Sequence, residues 1–374
     1  MNQYFATVAR GLEEIAACEL IGLGAKEVKS TFTGVSFQGD KELLYKVNLW
    51  SRIIFRVLVP IDKVKSFNAE QLYRSVQEID WSEYLTPEMT VAVNCTGKNK
   101  QLNHSHFTAL QIKKAIVDQQ QKHFGKRSDV ETHSPDLLIN AHIDNNRCVI
   151  SLDSSGTSLH RRGYRPAVGL APLKESLAAA LIKLTEWTPE IAFYDPLCGS
   201  GTLPIEATQQ ALNIAPGLYR DNFGFQNWLD YEDTLWDKIV DEAYALQRFE
   251  IDVPIIGSDR DLEILNQAKD NAKKCNVTEY IQFLNQSLIE VTAPADKGII
   301  ICNPPYGERL GNVSELEDLY KMLGDIFKQR FTGWTAYILT GSKHLSKKVG
   351  LRTAKRIPIY NGSIPCTLLK YELY

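Results

Sequence analysis

Apolar positions recur along this chain in two periods. In its rear half, short continuous apolar runs at 191–194, 255–259, 281–284, 298–302 and 334–340 alternate with longer stretches. In those stretches apolar residues fall three and four apart. Runs of that length read as strands buried on both faces, and the stretches between them as helices at 173–184, 203–212, 262–275 and 315–328. Residues 171–374 therefore predict a doubly wound α/β sheet. Two further runs, 355–361 and 367–373, flank Asn361-Gly362 and read as a closing antiparallel hairpin. The stretch 215–252 breaks the rhythm. Its Phe223, Phe225, Trp228 and Trp236 predict an aromatic insertion, partly helical and packed against the sheet, with base contact as the alternative.

The front half mixes strand and helix periods. Residues 1–65 read as strand 4–8, helix 12–23, strands 27–31 and 34–37, helix 41–49 and strand 51–61. That βαββαβ order is that of a ferredoxin-like α+β unit. Residues 66–155 predict a second α+β unit, with helix 69–77, strand 90–95, helix 107–124 and a hairpin of 137–143 with 147–153. Residues 156–170 read as a linker. The predicted loop at 96–106 is polar and basic. Its Lys98 and Lys100 suit phosphate contacts, although an ordinary exposed loop has the same composition. His104 and His106 have no acidic or sulfur partner close in sequence, so no metal site is expected.

At 374 residues the chain is long enough for two or three domains, and 44% hydrophobic with 23% charged residues is ordinary for a globular protein. No apolar run is long enough to span a bilayer, and the opening residues lack a basic segment followed by an apolar one. Seven scattered cysteines without C-x-x-C spacing predict reduced thiols in a cytoplasmic protein. The net charge of −3 does not announce a nucleic-acid binder. Its distribution is more suggestive, with 21 Lys/Arg against 18 Asp/Glu in residues 1–165 and 21 against 27 in the rest. A modestly basic front fits one that meets phosphates, although a solvated surface gives such counts too.

Candidate chemistry lies at two strand ends. The run ending at Cys302 meets Asn303-Pro304-Pro305-Tyr306, and two prolines cannot continue a ladder. These residues thus fall at the carboxyl end of a central strand, where open α/β sheets place ligands. The Asn303 side-chain carbonyl and the Pro304 backbone carbonyl can both accept hydrogen bonds from one amino group, and Tyr306 can stack on a planar ring. A Pro-Pro turn with an Asn cap is the bland alternative. After the first strand come Asp195, Pro196, Leu197, Cys198, Gly199, Ser200, Gly201 and Thr202, whose glycines let backbone approach a ligand. The loop lacks the Gly-Lys-Ser/Thr of a phosphate loop and the G-x-G-x-x-G of a dehydrogenase. Asp259 ends the second strand and can accept two ribose hydroxyls. It lies 64 residues beyond Asp195, not the usual ~20, and the insertion accounts for the excess. Asp261 competes for that role but falls where a helix cap belongs.

The Asn-Pro-Pro-Tyr motif resembles that of the amino-methyltransferases. With Ser-Gly-x-Ser-Leu-His-x-Arg-Gly-Tyr-Arg at 155–165 and Ala171-Pro172-Leu173-Lys174-Glu175-Ser176, nearly the whole chain resembles the THUMP-domain RNA guanine-N2 methyltransferases, nearest to their 23S ribosomal branch. Relatives also carry the label of N6-adenine-specific DNA methylase. The resemblance implies a class I, Rossmann-like methyltransferase sheet at 171–374, preceded by the ferredoxin-like unit and a THUMP RNA-binding domain at 66–155. It implies S-adenosylmethionine as cofactor, held by residues 195–202, Asp259 and Asn303, and catalysis by Asn303, Pro304, Pro305 and Tyr306. This type often places an Asp after the third strand, against the cofactor's adenine. Here Asn285-Gln286-Ser287 stands there, and Gln286 is the candidate. Lys98, Lys100, Arg161, Arg162 and Arg165 are the candidate RNA contacts. The implied substrate is a guanine in large-subunit ribosomal RNA. A transfer-RNA guanine, an adenine N6 and a non-catalytic RNA-binding role in assembly are the alternatives.

Overall fold

The computed structural model describes residues 1–165, 173–306 and 313–374. The front half contains β1 (Asn2–Thr7), α1 (Glu13–Gly22), β2 (Lys26–Thr31), β3 (Gly34–Gly39), α2 (Lys41–Trp50), β4 (Arg56–Lys65), α3 (Ala69–Val76), β5 (Val91–Lys98), α4 (Ser105–Phe124), β6 (Leu137–Asp144) and β7 (Arg147–Asp153). The rear half contains α5 (Glu175–Leu184), β8 (Ala192–Asp195), α6 (Thr202–Ala211), α7 (Asp233–Ala245), β9 (Ile255–Asp259), α8 (Leu262–Lys274), β10 (Ile281–Asn285), β11 (Gly298–Cys302), α9 (Val313–Arg330), β12 (Thr335–Thr340), α10 (Lys343–Lys348), β13 (Lys355–Asn361) and β14 (Ile364–Glu372). These elements gather into two compact units. One is Met1–Val8, Ala17–Leu159 and Arg220–Val240, and the other is Ala9–Ala16, His160–Tyr219 and Asp241–Tyr374.

The first unit is built on one seven-stranded sheet, in the order β2-β3-β1-β4-β7-β6-β5. The predicted α+β units at 1–65 and 66–155 share this one sheet through β4. Its first residues pair with β1, Phe5 opposite Leu58, while from Leu58 onward it pairs with β7, from Leu58–Asp153 to Lys65–Arg147. The register shifts between Pro60 and Asp62, where proline offers no N–H to the ladder. The strand also starts at Arg56 rather than at 51. The Glu19 carboxylate accepts hydrogen bonds from the Ser51 hydroxyl (2.6 Å) and the Arg52 amide (2.7 Å), which holds these residues out of the ladder. At the other edge β5 runs parallel to β6 as far as Lys98 opposite Asp144. Lys98 thus ends a strand instead of opening a loop. The His104 ring accepts from the Phe107 amide as the N-cap of α4. Among the described residues no His/Cys/Asp/Glu group could hold a metal ion.

Part of the aromatic insertion belongs to this unit. Phe225 stacks on Tyr45 of α2 at 4.2 Å between ring centroids, and Trp236 meets Phe225 edge-on at 5.2 Å. Both phenylalanines, 223 and 225, are buried, but Phe225 packs on α2 of the first unit and not on the second sheet as expected.

In the second unit the strand order is β10-β9-β8-β11-β12-β14-β13, parallel throughout except for β14, which runs antiparallel to both its neighbours. From β8 the chain builds outward through β9 and β10, and from β11 the other way through β12. The boundary between β8 and β11 is therefore the topological switch point. One face of β11 and β12 packs against Tyr320, Leu323 and Phe327 of α9 and Leu345 of α10. No helix among the described residues is long and apolar enough to cross a membrane.

Gly324 lets α9 press against the turn after α10. A Cβ there would lie 1.7 Å from the Val349 carbonyl oxygen, so backbone would have to move. Gly324→Ala is expected to destabilise the fold by about 1–3 kcal/mol, as overpacking does, read as a fall in melting temperature.

Candidate active site at the switch point of the second sheet

The loop leaving β8 is tied to the end of β9. Asp195 accepts from the Leu197 amide at 3.1 Å and turns the chain at once. The Cys198 amide then donates to the Ser258 carbonyl at 2.9 Å, and the Gly199 amide to the Asp259 carboxylate at 3.0 Å. Gly199 and Gly201 both take positive φ, 51° and 82°. Gly201 also has no room for a side chain, since a Cβ would stand 2.9 Å from that of Ala268. Gly201 caps α6, and the Asn271 amide holds the Ser200 carbonyl at 3.0 Å. The result is a tight backbone cradle at the N-terminus of α6. Burial drives the Asp195 carboxyl well above the usual carboxylate range, and the nearby Asp259 adds to the shift.

Asp259 and Asp261 divide their roles as capping geometry requires. Asp261 accepts from the Glu263 and Ile264 amides and caps α8. Asp259 stays at the strand end, its two oxygens on the Asp261 and Gly199 amides. Gln286 joins the same rim. Its amide donates to the Asp259 carbonyl at 3.2 Å and its side chain to the Tyr194 hydroxyl at 2.5 Å. Sequence reasoning missed two of these supports. Tyr194, inside β8, reads only as a buried strand residue. Asn285 donates to the carbonyls of Asp259 and Arg260, both at 3.1 Å, and the signal was its place beside Gln286.

Across the switch point β11 ends at Cys302 and the chain turns out through Asn303. The Asn303 Oδ1 is buried and has no hydrogen-bond partner among the described residues. A carbonyl oxygen left so is costly unless something donates to it. Pro304 is buried beside it. The Tyr306 hydroxyl accepts from Asn361 Nδ2 at 2.9 Å and from Cys366 Sγ at 3.5 Å.

The structure separates the predicted RNA contacts. Lys98, Lys100 and Arg161 are exposed. Arg162 and Arg165 are not RNA-facing, contrary to expectation. Arg162 is 1% exposed, with its Nε 3.4 Å from the fully buried Glu206, to which the Tyr164 hydroxyl also donates. Arg165 lies 2.9 Å from Glu175 and donates to the Leu173 carbonyl at 2.9 Å. Both guanidiniums serve carboxylates taken out of water, a demand that surface phosphates cannot outbid. Removing one partner strands the other charge, so Arg162→Ala is expected to cost about 3–5 kcal/mol of stability. Chemical denaturation would measure it. A variant of native stability with weakened RNA binding would restore the contact reading.

Three family models cover the chain. Residues 162–370 match the RMKL-like methyltransferase domain, 67–153 the THUMP domain and 3–58 the RlmL ferredoxin-like domain. The chain is 56% identical over 371 residues to a protein of Synechocystis sp. whose name proposes an RNA methyltransferase, covering 99% of this chain and 97% of that one. It is 41% identical over 384 residues to the ribosomal RNA large subunit methyltransferase K/L of Syntrophotalea carbinolica, covering 99% of this chain and 53% of that one. It therefore spans about half the length of that relative. A solved structure complexed with SAH, whose name proposes a methyltransferase, is 31% identical, with a TM-score of 0.90 over 100% of this chain and 98% of that one. A Listeria monocytogenes structure, called by prediction an N6-adenine-specific DNA methylase, is 32% identical, with a TM-score of 0.89 over 100% and 96%. With one model alone matching more than half of its length, the chain belongs to the RMKL-like methyltransferases.

Proposed function

We propose that this protein transfers a methyl group from S-adenosylmethionine to the exocyclic N2 of a guanine in large-subunit ribosomal RNA. The observation that carries the reading is the buried, unpartnered Oδ1 of Asn303 at the switch point. It sits where an acceptor is useful and nothing in the described chain uses it. The cofactor, when bound, supplies an electrophilic methyl on sulfur. The cradle of Asp195, Pro196, Leu197, Cys198, Gly199, Ser200, Gly201 and Thr202 suits its methionyl end, with Gly199 and Gly201 taking the positive φ that its tight turn needs. Asp259 would hold its ribose hydroxyls and Gln286 its adenine edge.

An exocyclic base amine is a poor nucleophile because its lone pair is delocalised into the ring. Asn303 Oδ1 and the Pro304 carbonyl each accept one of its two N–H bonds. That favours the pyramidal amine, whose lone pair then points at the methyl. The methylated amine is acidic, so no strong base is required. Tyr306 stacks on the base once it has left its helix, and Pro305 fixes the turn between acceptor and ring. Holding both reactants in this orientation provides much of the rate. The THUMP domain, with Lys98 and Lys100 exposed, favours RNA, and the large-subunit relatives favour ribosomal RNA. The Listeria structure's name favours adenine N6 instead, and the motif serves either amine equally.

The test uses radiolabelled S-adenosylmethionine with ribosomal RNA, transfer RNA and DNA from cells lacking the gene, followed by nucleoside analysis. N2-methylguanosine in large-subunit RNA is expected. N6-methyladenine, or label in DNA or transfer RNA, would sink the guanine or ribosomal assignment. Losing one preorganised hydrogen-bonding group typically costs about 10²–10³-fold in turnover. Asn303→Ala is expected to show a loss of that order while cofactor affinity by calorimetry stays unchanged. Equal loss of both would remove Asn303 from catalysis.

A further inference from the structure

Tyr306 is more constrained than stacking alone would require. Three contacts reach it, each from a different element at the carboxyl-end rim of the second sheet. Asn361 closes β13 and donates its Nδ2 to the hydroxyl at 2.9 Å. Cys366, buried in β14, approaches the same oxygen at 3.5 Å. Gly341, just past β12, faces the ring side, where a Cβ would lie 2.9 and 3.1 Å from its Cδ2 and Cε2. The rim is itself braced within the second unit. Gly11 packs against the Pro358 carbonyl, and the Arg10 guanidinium lies 4.7 Å from the Tyr360 ring centroid. Burial pushes the Tyr306 hydroxyl above the ordinary phenol range, so the oxygen that takes these bonds stays neutral at physiological pH.

We infer that Asn361 and Cys366 are positioning residues, which pin the tip of the Tyr306 ring so that it meets the substrate base at a fixed angle. The inference rests on the methyltransferase reading, in which Tyr306 stacks on that base. A tyrosine on a loop can rotate about two torsions, and each rotation carries the stacked base with it. In-line transfer tolerates displacements of only about 0.5 Å. Hydrogen bonds at the far end of the ring remove most of that freedom, and the missing side chain at Gly341 lets the strand end close against the ring. Satisfying a half-buried phenol could by itself explain one hydrogen bond. Two polar partners on a single hydroxyl, together with the glycine, exceed that need.

A double-mutant cycle separates the two readings. Turnover on large-subunit RNA is measured for the wild type, Tyr306→Phe, Asn361→Leu and the double variant. The phenylalanine keeps the stacking face and removes the pinned oxygen. Leucine matches the asparagine in shape but cannot donate. Each single change is expected to lower kcat about tenfold, with KM, melting temperature and S-adenosylhomocysteine affinity held. The double variant is expected to fall about tenfold as well, because the second change removes nothing further. A hundredfold fall in the double variant, or an unchanged kcat in Asn361→Leu, would overturn the inference while leaving the methyltransferase reading intact. A readout independent of turnover is the fluorine resonance of 3-fluorotyrosine placed at position 306. Asn361→Leu is expected to shift or narrow it as the ring gains freedom, and an unaltered resonance would count equally against pinning. Wild-type protein that methylates no nucleic acid would instead fault the proposed function, with the resonance still deciding whether the ring is held.

Discussion

The site depends on two strands that lie side by side while the chain leaves them in opposite directions. Because β8 and β11 are neighbours, with Ala192 beside Gly298 and Tyr194 beside Ile300, the loops at their carboxyl ends open a crevice that neither strand could make alone. One loop is a glycine cradle held to the end of β9. The other presents a buried acceptor and a clamped aromatic ring. Strand order thus does what no single motif can, since it brings the glycine cradle and the acceptor loop to one crevice. The charges around the cradle follow from the same geometry. Asp195 and Asp259 both belong to strand ends that converge there, which is why burial and mutual repulsion raise the Asp195 carboxyl.

What could be read from the sequence was local. Prolines end β11 wherever it sits in the sheet, so Asn303 had to emerge at a strand terminus. The glycines of the cradle were legible because close backbone approach leaves no substitute for them. The choice between Asp259 and Asp261 was legible through capping, a property of a few consecutive residues. What escaped was set by partners far along the chain. Arg162 resembles a phosphate ligand until Glu206, 44 residues on, proves to need it. Arg165 is claimed by Glu175, which looks like an ordinary first-turn helix residue. The true start of β4 depends on Glu19, 33 residues before the amide it binds.

The buried ion pairs of the junction matter for how charge is read in this chain. Its run of three arginines reads as a basic linker, yet two of them are internal counterions. Their removal from the surface leaves Arg161, and the lysines of the first unit, as the cations from these candidates that solvent reaches. The basic excess of the front half therefore overstates what an RNA would meet near residues 160–165.

The shared strand β4 has a consequence for inheritance. It is the last strand of the ferredoxin-like pattern and also the strand on which the THUMP hairpin is laid, through seven paired positions from Leu58 to Lys65. A gene segment cut between the two domains, where their sequence patterns part, would carry away one half of a ladder and leave the other as a raw edge open to foreign strands. A cut at the apparent border would break that ladder of seven pairs. The border between the two sequence patterns is thus no border in the sheet, which continues through β4 from one pattern to the other.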